Sequence, residues 1–454
     1  MVEKISESID VPRFYFTEPW EPVVVRRGDA LGLSALLDQF ADAVAPDFSN
    51  RIRDGRWVTI LAWCLVKSQQ VFDASGGRSG STRKEQNERY AWLQPLELLW
   101  VARTITLLEK DDWKQRSLAG QRRVAPWNNK KSADRFGMSP EQFRAYRQTG
   151  MYGGYRLAFR KWPGMSSGDG WTPGQKTRAL AKWLDTKLKG AQLNLDDELG
   201  RSAKTGRSKE CNWWLNHWKE FAQSGKDADV NTLPRRKNDF VVLPEAELLK
   251  PIIFGDDVRG QRRVKVVRSI QQSTATSHLE LCKHLSREFK DIPEIARLYS
   301  FSRLADAGIA VMAHIAAVLG DKSHVELKEV AKHKDAASVC KELRAAAQTW
   351  FKEPDMRMRY IESAHRFAAA ITSEKPIDCL RAVLEHHKQY GGGLRWFVLC
   401  NGKVEARTPP ANSISRYGFR LWPLCRLATQ CGVLKTMPKV LHDESAYLDE
   451  EDDE

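Results

Sequence analysis

From residue 276 to residue 387 the chain offers little besides helix. The segments HLELCKHLSREF, EIARLYSFSRLADAGIAVMAHIAAVLG, HVELKEVAKH, AASVCKELRAAAQTWF, MRYIESAHRFAAAIT and PIDCLRAVLEHHKQY follow one another with short polar breaks. Their apolar residues recur at helical spacing, and their alanines let helices approach closely. No repeat period is evident, so a bundle of unlike helices is expected. The N-terminal part reads the same way. Asp29 can cap a helix with the stripe Leu33, Leu36, Leu37, Phe40 and Val44, and Pro46 ends it. A second, mostly buried helix surrounds Trp57, Ile60, Leu61 and Cys64. A third core helix, RYAWLQPLELLWVARTITLLEK, has Pro95 at its first turn or at a kink. The fold class expected is mainly α and multi-helical. The ending differs: LRWFVLC, Asn401-Gly402 and KVEAR predict a short C-terminal β-hairpin, because Asn-Gly suits the tight turn between paired strands.

Five segments are expected: an N-terminal helical domain (1–112), a basic aromatic-rich region (113–235), a helical bundle (236–385), a hairpin-plus-helix unit (386–442) and an acidic disordered tail (443–454). Residues 12–25 read as extended chain crossing the surface. The N-terminus lacks the apolar core of a signal peptide, and the apolar run 308–320 is too short to span a bilayer. The eight cysteines form no CxxC pair and read as reduced thiols of a cytoplasmic protein.

Charge gives the functional lead. The 454-residue chain carries a net +14, and the tail alone holds eight acids without a Lys or Arg, leaving +22 on the rest. Such a body attracts polyanions, of which nucleic acid is the commonest. Between Trp113 and Trp183 there are fifteen Lys/Arg against three acids, with aromatic residues threaded among them. Cations neutralise phosphates and exposed rings stack on unpaired bases, so this interleaving predicts nucleic-acid contact. Ser139-Pro140-Glu141-Gln142 opens a helix, and Gly150, Gly153 and Gly154 are expected to break it before a basic segment. Recognition helix followed by wing is the arrangement this resembles. The contact residues expected here are Arg122, Arg123, Lys130, Lys131, Arg144, Arg147, Arg156, Arg160 and Lys161. A second winged-helix-like unit, the hairpin and its following helix, adds Arg395, Arg416 and Arg420. Arg51, Arg53 and Arg56 stand at a helix start, against the dipole, and imply an acidic partner or a phosphate. RGQRRVKVVRS adds further cations and is read as a strand.

One resemblance bears on context. GDALGLSALLDQFADAVAPDFSNRIRDGRWVTILAWCLVKS is similar to the opening of an uncharacterised bacterial family of basic, mostly helical proteins, often encoded near helicases and other mobile-element or phage-defence genes. The matching features are Leu31-Gly32, the helix around Asp38 to Asp42, Pro46, Arg53, Arg56 and Trp63, over about forty residues. The family's usual glycine after the proline is Asp47 here. The resemblance implies a DNA-related role and carries over no catalytic residue.

Catalytic signatures are sparse. No P-loop is present, and Gly391-Gly392-Gly393 lacks the strand-turn-helix setting of a dinucleotide fingerprint. Glu326-Leu327-Lys328, with Asp321 or Asp306, supplies the ExK element of a metal-dependent nuclease but reads as helix. His386 and Lys388 lack the downstream acid of a phospholipase-D-type site. His278 and His284 lack the spacing and partners of a zinc site. The function expected is a non-enzymatic DNA-binding (or RNA-binding) subunit of a bacterial DNA-processing or anti-phage system, beside a helicase or nuclease subunit. The alternatives are a metal-dependent nuclease built from scattered acids, or a scaffold for an acidic protein. No cofactor, metal or membrane is expected.

Overall fold

The computed structural model describes residues 29–77, 83–108, 114–116, 118, 120–121, 124–125, 146–147, 150–167, 171–188, 210, 213–214, 232–353, 358–391, 396–406 and 418–442. Over these the fold is mainly helical, with fifteen α-helices and one three-stranded antiparallel sheet. The chain divides into two compact units. The smaller gathers residues 1–34, 307–351 and 362–414, and the larger holds the rest. The expectations for residues 12–25, the helix start at Ser139 and the tail 443–454 lie outside the described residues.

The larger unit is built around α2 (Gly55–Ala74), which is apolar on most of its circumference and buried along most of its length. A helix of that composition must be covered on several sides. It packs against α3 (Arg83–Leu107), α4 (Met151–Lys161) and α5 (Gln175–Lys187). Asp54 caps it, accepting from the Arg56 amide at 3.0 Å. Asp185 of α5 accepts from Trp63 Nε1 at 2.6 Å and from Lys67 Nζ at 2.8 Å, so one carboxylate fixes the helix pair. Pro95 lies inside α3 and not at its first turn. In α1 (Ser34–Val44), Phe40 stacks on Phe301 with centroids 4.6 Å apart. The unit is completed by α6 (Ala246–Ile253), α7 (Val258–Gln272), α8 (His278–Glu288), the short α9 (Pro293–Ala296), the first turns of α10 (Leu298–Leu319) and, further along the chain, the helix Leu421–Gln430.

Two segments correct the sequence reading here. RGQRRVKVVRS is helix within α7, because Asp257 caps it through the Arg259 and Gly260 amides and its apolar residues Val264, Val267 and Ile270 fall on one helical face. Gly150, Gly153 and Gly154 do not introduce a wing. Gly150 is the N-cap of α4, and the other two lie inside that helix. A helical glycine costs about 1 kcal/mol. Burial of Tyr152, Tyr155 and Phe159 on one face of α4 outweighs it.

In the smaller unit, α11 (Leu327–Lys332), α12 (Ala336–Lys352), α13 (Ile361–Ala370) and α14 (Pro376–Tyr390) accompany the sheet. Strand β1 (His324–Glu326) pairs with β3 (Lys403–Ala406), which pairs with β2 (Phe397–Cys400), so the order is β1-β3-β2. The expected hairpin is present. Asn401 and Gly402 both have positive φ, 49° and 79°, as a tight primed turn requires. HVELKEVAKH, expected to be wholly helical, opens as β1 because its first residues pair with 403–405. The helix expected to complete a second winged unit, α15 (Leu421–Gln430), belongs to the larger unit, so hairpin and helix form no single module.

The helix α10 is long and apolar enough to cross a membrane by length and composition alone, and 61% of its most apolar window is buried within the fold. A buried core helix of a soluble protein passes the same test.

Candidate nucleic-acid interface

The site begins with three residues between α1 and α2: Pro46, Asp47 and Phe48. Asp47 has φ 62°, a conformation glycine adopts freely and few other residues tolerate. The aspartate there is employed. Its carboxylate accepts from Arg259 Nη1 at 2.6 and 2.8 Å and lies 4.0 Å from Arg263 Nη1. Its carbonyl accepts from Trp162 Nε1 at 3.2 Å. The Asp47 hydrogen bond and charge raise the Arg259 pKa above its usual value. Phe48 is fully buried between the Trp162 ring, 5.4 Å away, and the Arg263 guanidinium, 5.8 Å away. Arg263 is itself buried. It donates to Pro46 O at 2.7 Å and to Ile253 O at 2.6 Å, and burial lowers its pKa to about 10, so it stays charged near neutrality.

These contacts bring three helix ends together. Trp162 closes α4, Arg259 and Arg263 open α7, and Ile253 closes α6. Ahead of α5, Gly174 N donates to Met165 O and Lys176 N to Gly164 O. Lys176 Nζ donates to Pro251 O of α6 at 2.8 Å. The segment 46–54 also runs along α4. Ser49 Oγ donates to Gly154 O, and the amides of Arg53 and Asp54 donate to the Tyr155 hydroxyl at 3.1 and 3.0 Å. Gly154 is required by this approach, since a Cβ there would lie 2.9 Å from Arg51 Cβ.

The same helices carry exposed cations. On α4, Arg156, Arg160 and Lys161 are exposed; on α5, Arg178 and Lys182; on α7, Lys265 and Arg268, with Arg262 half-exposed. The α7 sequence VRGQRRVKVVRSIQQ contains no acid. Among the described residues, Arg156, Arg160, Lys161, Arg262, Lys265 and Arg268 make no ion pair or hydrogen bond. Arg262, Lys265 and Arg268 fall three residues apart, a slanting row of like charges that repel when unopposed.

The expected site residues divide three ways. Arg156, Arg160 and Lys161 are outward and share one helix. Arg147 and Arg420 have partners within the fold. Arg147 donates to Asn87 Oδ1 at 2.5 Å and lies over the rings of Tyr90 and Trp171, at 5.2 and 5.5 Å. Arg420, at φ 60° just before α15, pairs with Asp38 at 3.2 Å and with Asp42. Arg122, Arg123, Lys130, Lys131, Arg144, Arg395 and Arg416 lie outside the described residues. The row on α7 was missed because the segment was read as a strand. The signal that identifies it is cations at three-residue spacing with valines between them.

The arginines at the start of α2 have internal partners. Arg56 and Glu245, both fully buried, meet through two 2.8 Å contacts. Asp54 accepts from Gln430 Nε2 at 3.1 Å and from the Arg235 amide at 2.8 Å, with Arg426 at 3.9 Å. Arg53 is buried and donates to Asn50 O, and only Arg51 of the three is exposed.

The catalytic alternatives gain no geometry. Among the described residues no group of three His, Cys, Asp or Glu is arranged to hold a metal ion. Glu326 ends β1, whereas Lys328 lies in α11, so the two do not share a strand face. His386 donates from Nε2 to Leu31 O at 2.9 Å, and burial lowers its pKa. His387 donates from Nδ1 to Ala30 O at 2.8 Å and accepts the Trp396 amide at Nε2, so both ring nitrogens are occupied. Compared with known protein families, curated proteins and solved structures, the chain matches none of them.

Proposed function

We propose that this chain is a nucleic-acid-binding protein whose ligand is DNA, acting as a non-catalytic subunit of a bacterial DNA-processing or anti-phage defence assembly in the cytoplasm. The observation that carries the reading is the acid-free helix α7, whose outward cations Arg262, Lys265 and Arg268 have no partner among the described residues and whose first turn shares Asp47 with the end of α4. Like charges held in a row on a rigid helix raise the energy of the free protein and are relieved by a polyanion. The net charge of +14 supports attraction over distance. The N-terminal resemblance supports the cellular setting, with a helicase or nuclease subunit as partner.

Salt titration tests the reading. Fluorescence anisotropy with a labelled DNA should give log affinity falling linearly with log salt, by about 0.7 to 0.9 per phosphate contact. Affinity at low salt no better than that of a neutral protein of similar size overturns it.

A further inference from the structure

We infer that the α4–α7 surface takes double-helical DNA by its phosphates, and not single strands by their bases; this rests on the nucleic-acid reading above. In the sequence, aromatics and cations alternate through the basic stretch, as a stacking platform for unpaired bases requires. Among the described residues the fold separates them; Trp127, Phe136 and Phe143 lie outside those residues. Tyr146, Tyr152, Tyr155, Phe159, Trp162 and Trp171 are all buried, none more than 7% exposed. Tyr152 stacks on Trp171 at 4.5 Å, and Trp162 packs on Phe48. The rings therefore hold α4 down, and only its cations reach solvent. Helix α7 carries no aromatic residue. Elsewhere in the larger unit, exposed Tyr360 has the Arg359 guanidinium 4.9 Å over its ring, so one face is already covered.

A surface whose described outward groups are cations, with no free ring among them, gains chiefly from counterion release. That gain is larger on a duplex, which carries one charge per about 1.7 Å of axis and releases more counterions per contact than a single strand does. The α7 row suits such a density. Its three cations climb about 4.5 Å per step along a helix about 22 Å long, fixed at its start by Asp47. Duplex RNA is recognised largely through its 2′-hydroxyls across the minor groove. The charged outward groups of α4 and α7 are guanidinium and ammonium ions; the amide of Gln261 is engaged by Gly255 O and Asp256, and the exposed amides of Gln271 and Gln272 stand only at the far end of α7. The B-form groove, wide enough to admit a helix against its phosphates, is the better match.

The test uses the full chain with a labelled 25-base-pair DNA duplex, one of its strands alone and the RNA duplex of the same sequence, across a salt series. The duplex is expected to bind about tenfold tighter than the strand at equal salt, and the triple variant Arg262→Ala, Lys265→Ala, Arg268→Ala to lower the duplex salt slope by roughly two to three. The variant's melting temperature should match that of the wild type, and Lys332→Ala with Lys341→Ala, in the smaller unit, should leave the slope unchanged. A single strand bound as tightly as the duplex overturns the inference while leaving the nucleic-acid reading intact. An RNA duplex bound as tightly as the DNA overturns the choice of DNA. An unchanged slope in a folded triple variant removes α7 from the contact. If no nucleic acid binds at low salt, the proposed function fails and this inference with it.

Discussion

Two groups of arginines in the larger unit stand in contrast. Those of the α2 network, Arg53, Arg56 and Arg426, are each no more than 2% exposed and held by acids, carbonyls or both. Those of α7, Arg262 and Arg268, reach solvent and meet no described acid. In sequence both groups are arginines set among apolar residues. The difference is made elsewhere in the chain: Glu245 lies 189 residues from Arg56, and Gln430, which shares Asp54, lies 376 residues away. An arginine run becomes a core element or a surface according to acids that its own neighbourhood does not contain.

The largest effect that would sharpen this contrast comes from the buried pair. Glu245→Ala leaves the Arg56 guanidinium buried without its carboxylate and should destabilise the protein by about 3–5 kcal/mol in urea unfolding. Replacing both residues by apolar ones, Arg56→Met with Glu245→Leu, should recover most of that loss. A Glu245→Ala protein as stable as the wild type would show that the buried arginines do not depend on their acids.

The next effect compares two buried carboxyls. Burial pushes Glu245 up while Arg56 opposes it. Glu97 has no such cation: burial pushes it up to about 8, opposed only by the Tyr152 amide, and neither oxygen makes a well-aligned hydrogen bond among the described residues. With a folded pKa above the unfolded one, the native state binds the extra proton between about pH 4.5 and 8. Stability is therefore full below pH 4.5 and is lost as pH rises towards 8, by up to about 1.4 kcal/mol per unit. Glu97→Gln should flatten that part of the stability–pH curve, measured by urea midpoints from pH 5 to 8.5. An unchanged curve would mean that Glu97 is solvated or paired.

The smallest effect lies at the junction of the two arrangements. Asp47→Gly relieves a positive φ but releases Arg259, so stability should move by less than about 1 kcal/mol. The freed guanidinium adds one cation to the α7 surface, and DNA affinity should rise with a salt slope steeper by roughly 0.9. Weaker binding with intact folding would show that Asp47 positions α7 more than it neutralises it.

Much of the helical plan was legible because helices announce themselves locally. The Asp29 acceptor, the α2 core and the Asn401-Gly402 turn all follow from neighbouring residues. The site was legible only in part. Arg156, Arg160 and Lys161 were legible as cations of a basic segment, but their place on a helix was not, because Gly150, Gly153 and Gly154 read as a break. Arg147 could not be placed, since its partners Asn87, Tyr90 and Trp171 come from two distant segments. Arg420 was lost for the same reason, its acids Asp38 and Asp42 lying nearly 380 residues away. The stretch 259–269 imitates a strand through its closely spaced valines, whereas Asp257 just before it caps a helix.

The segment 46–54 meets α4 at residues 154 and 155 and at its C-cap Trp162, so the helix is held at both its middle and its end. The backbone beneath Arg156, Arg160 and Lys161 is thus immobilised before any ligand arrives. For these three side chains ordering on association costs about 0.5–1.5 kcal/mol each, with the helix beneath them already formed.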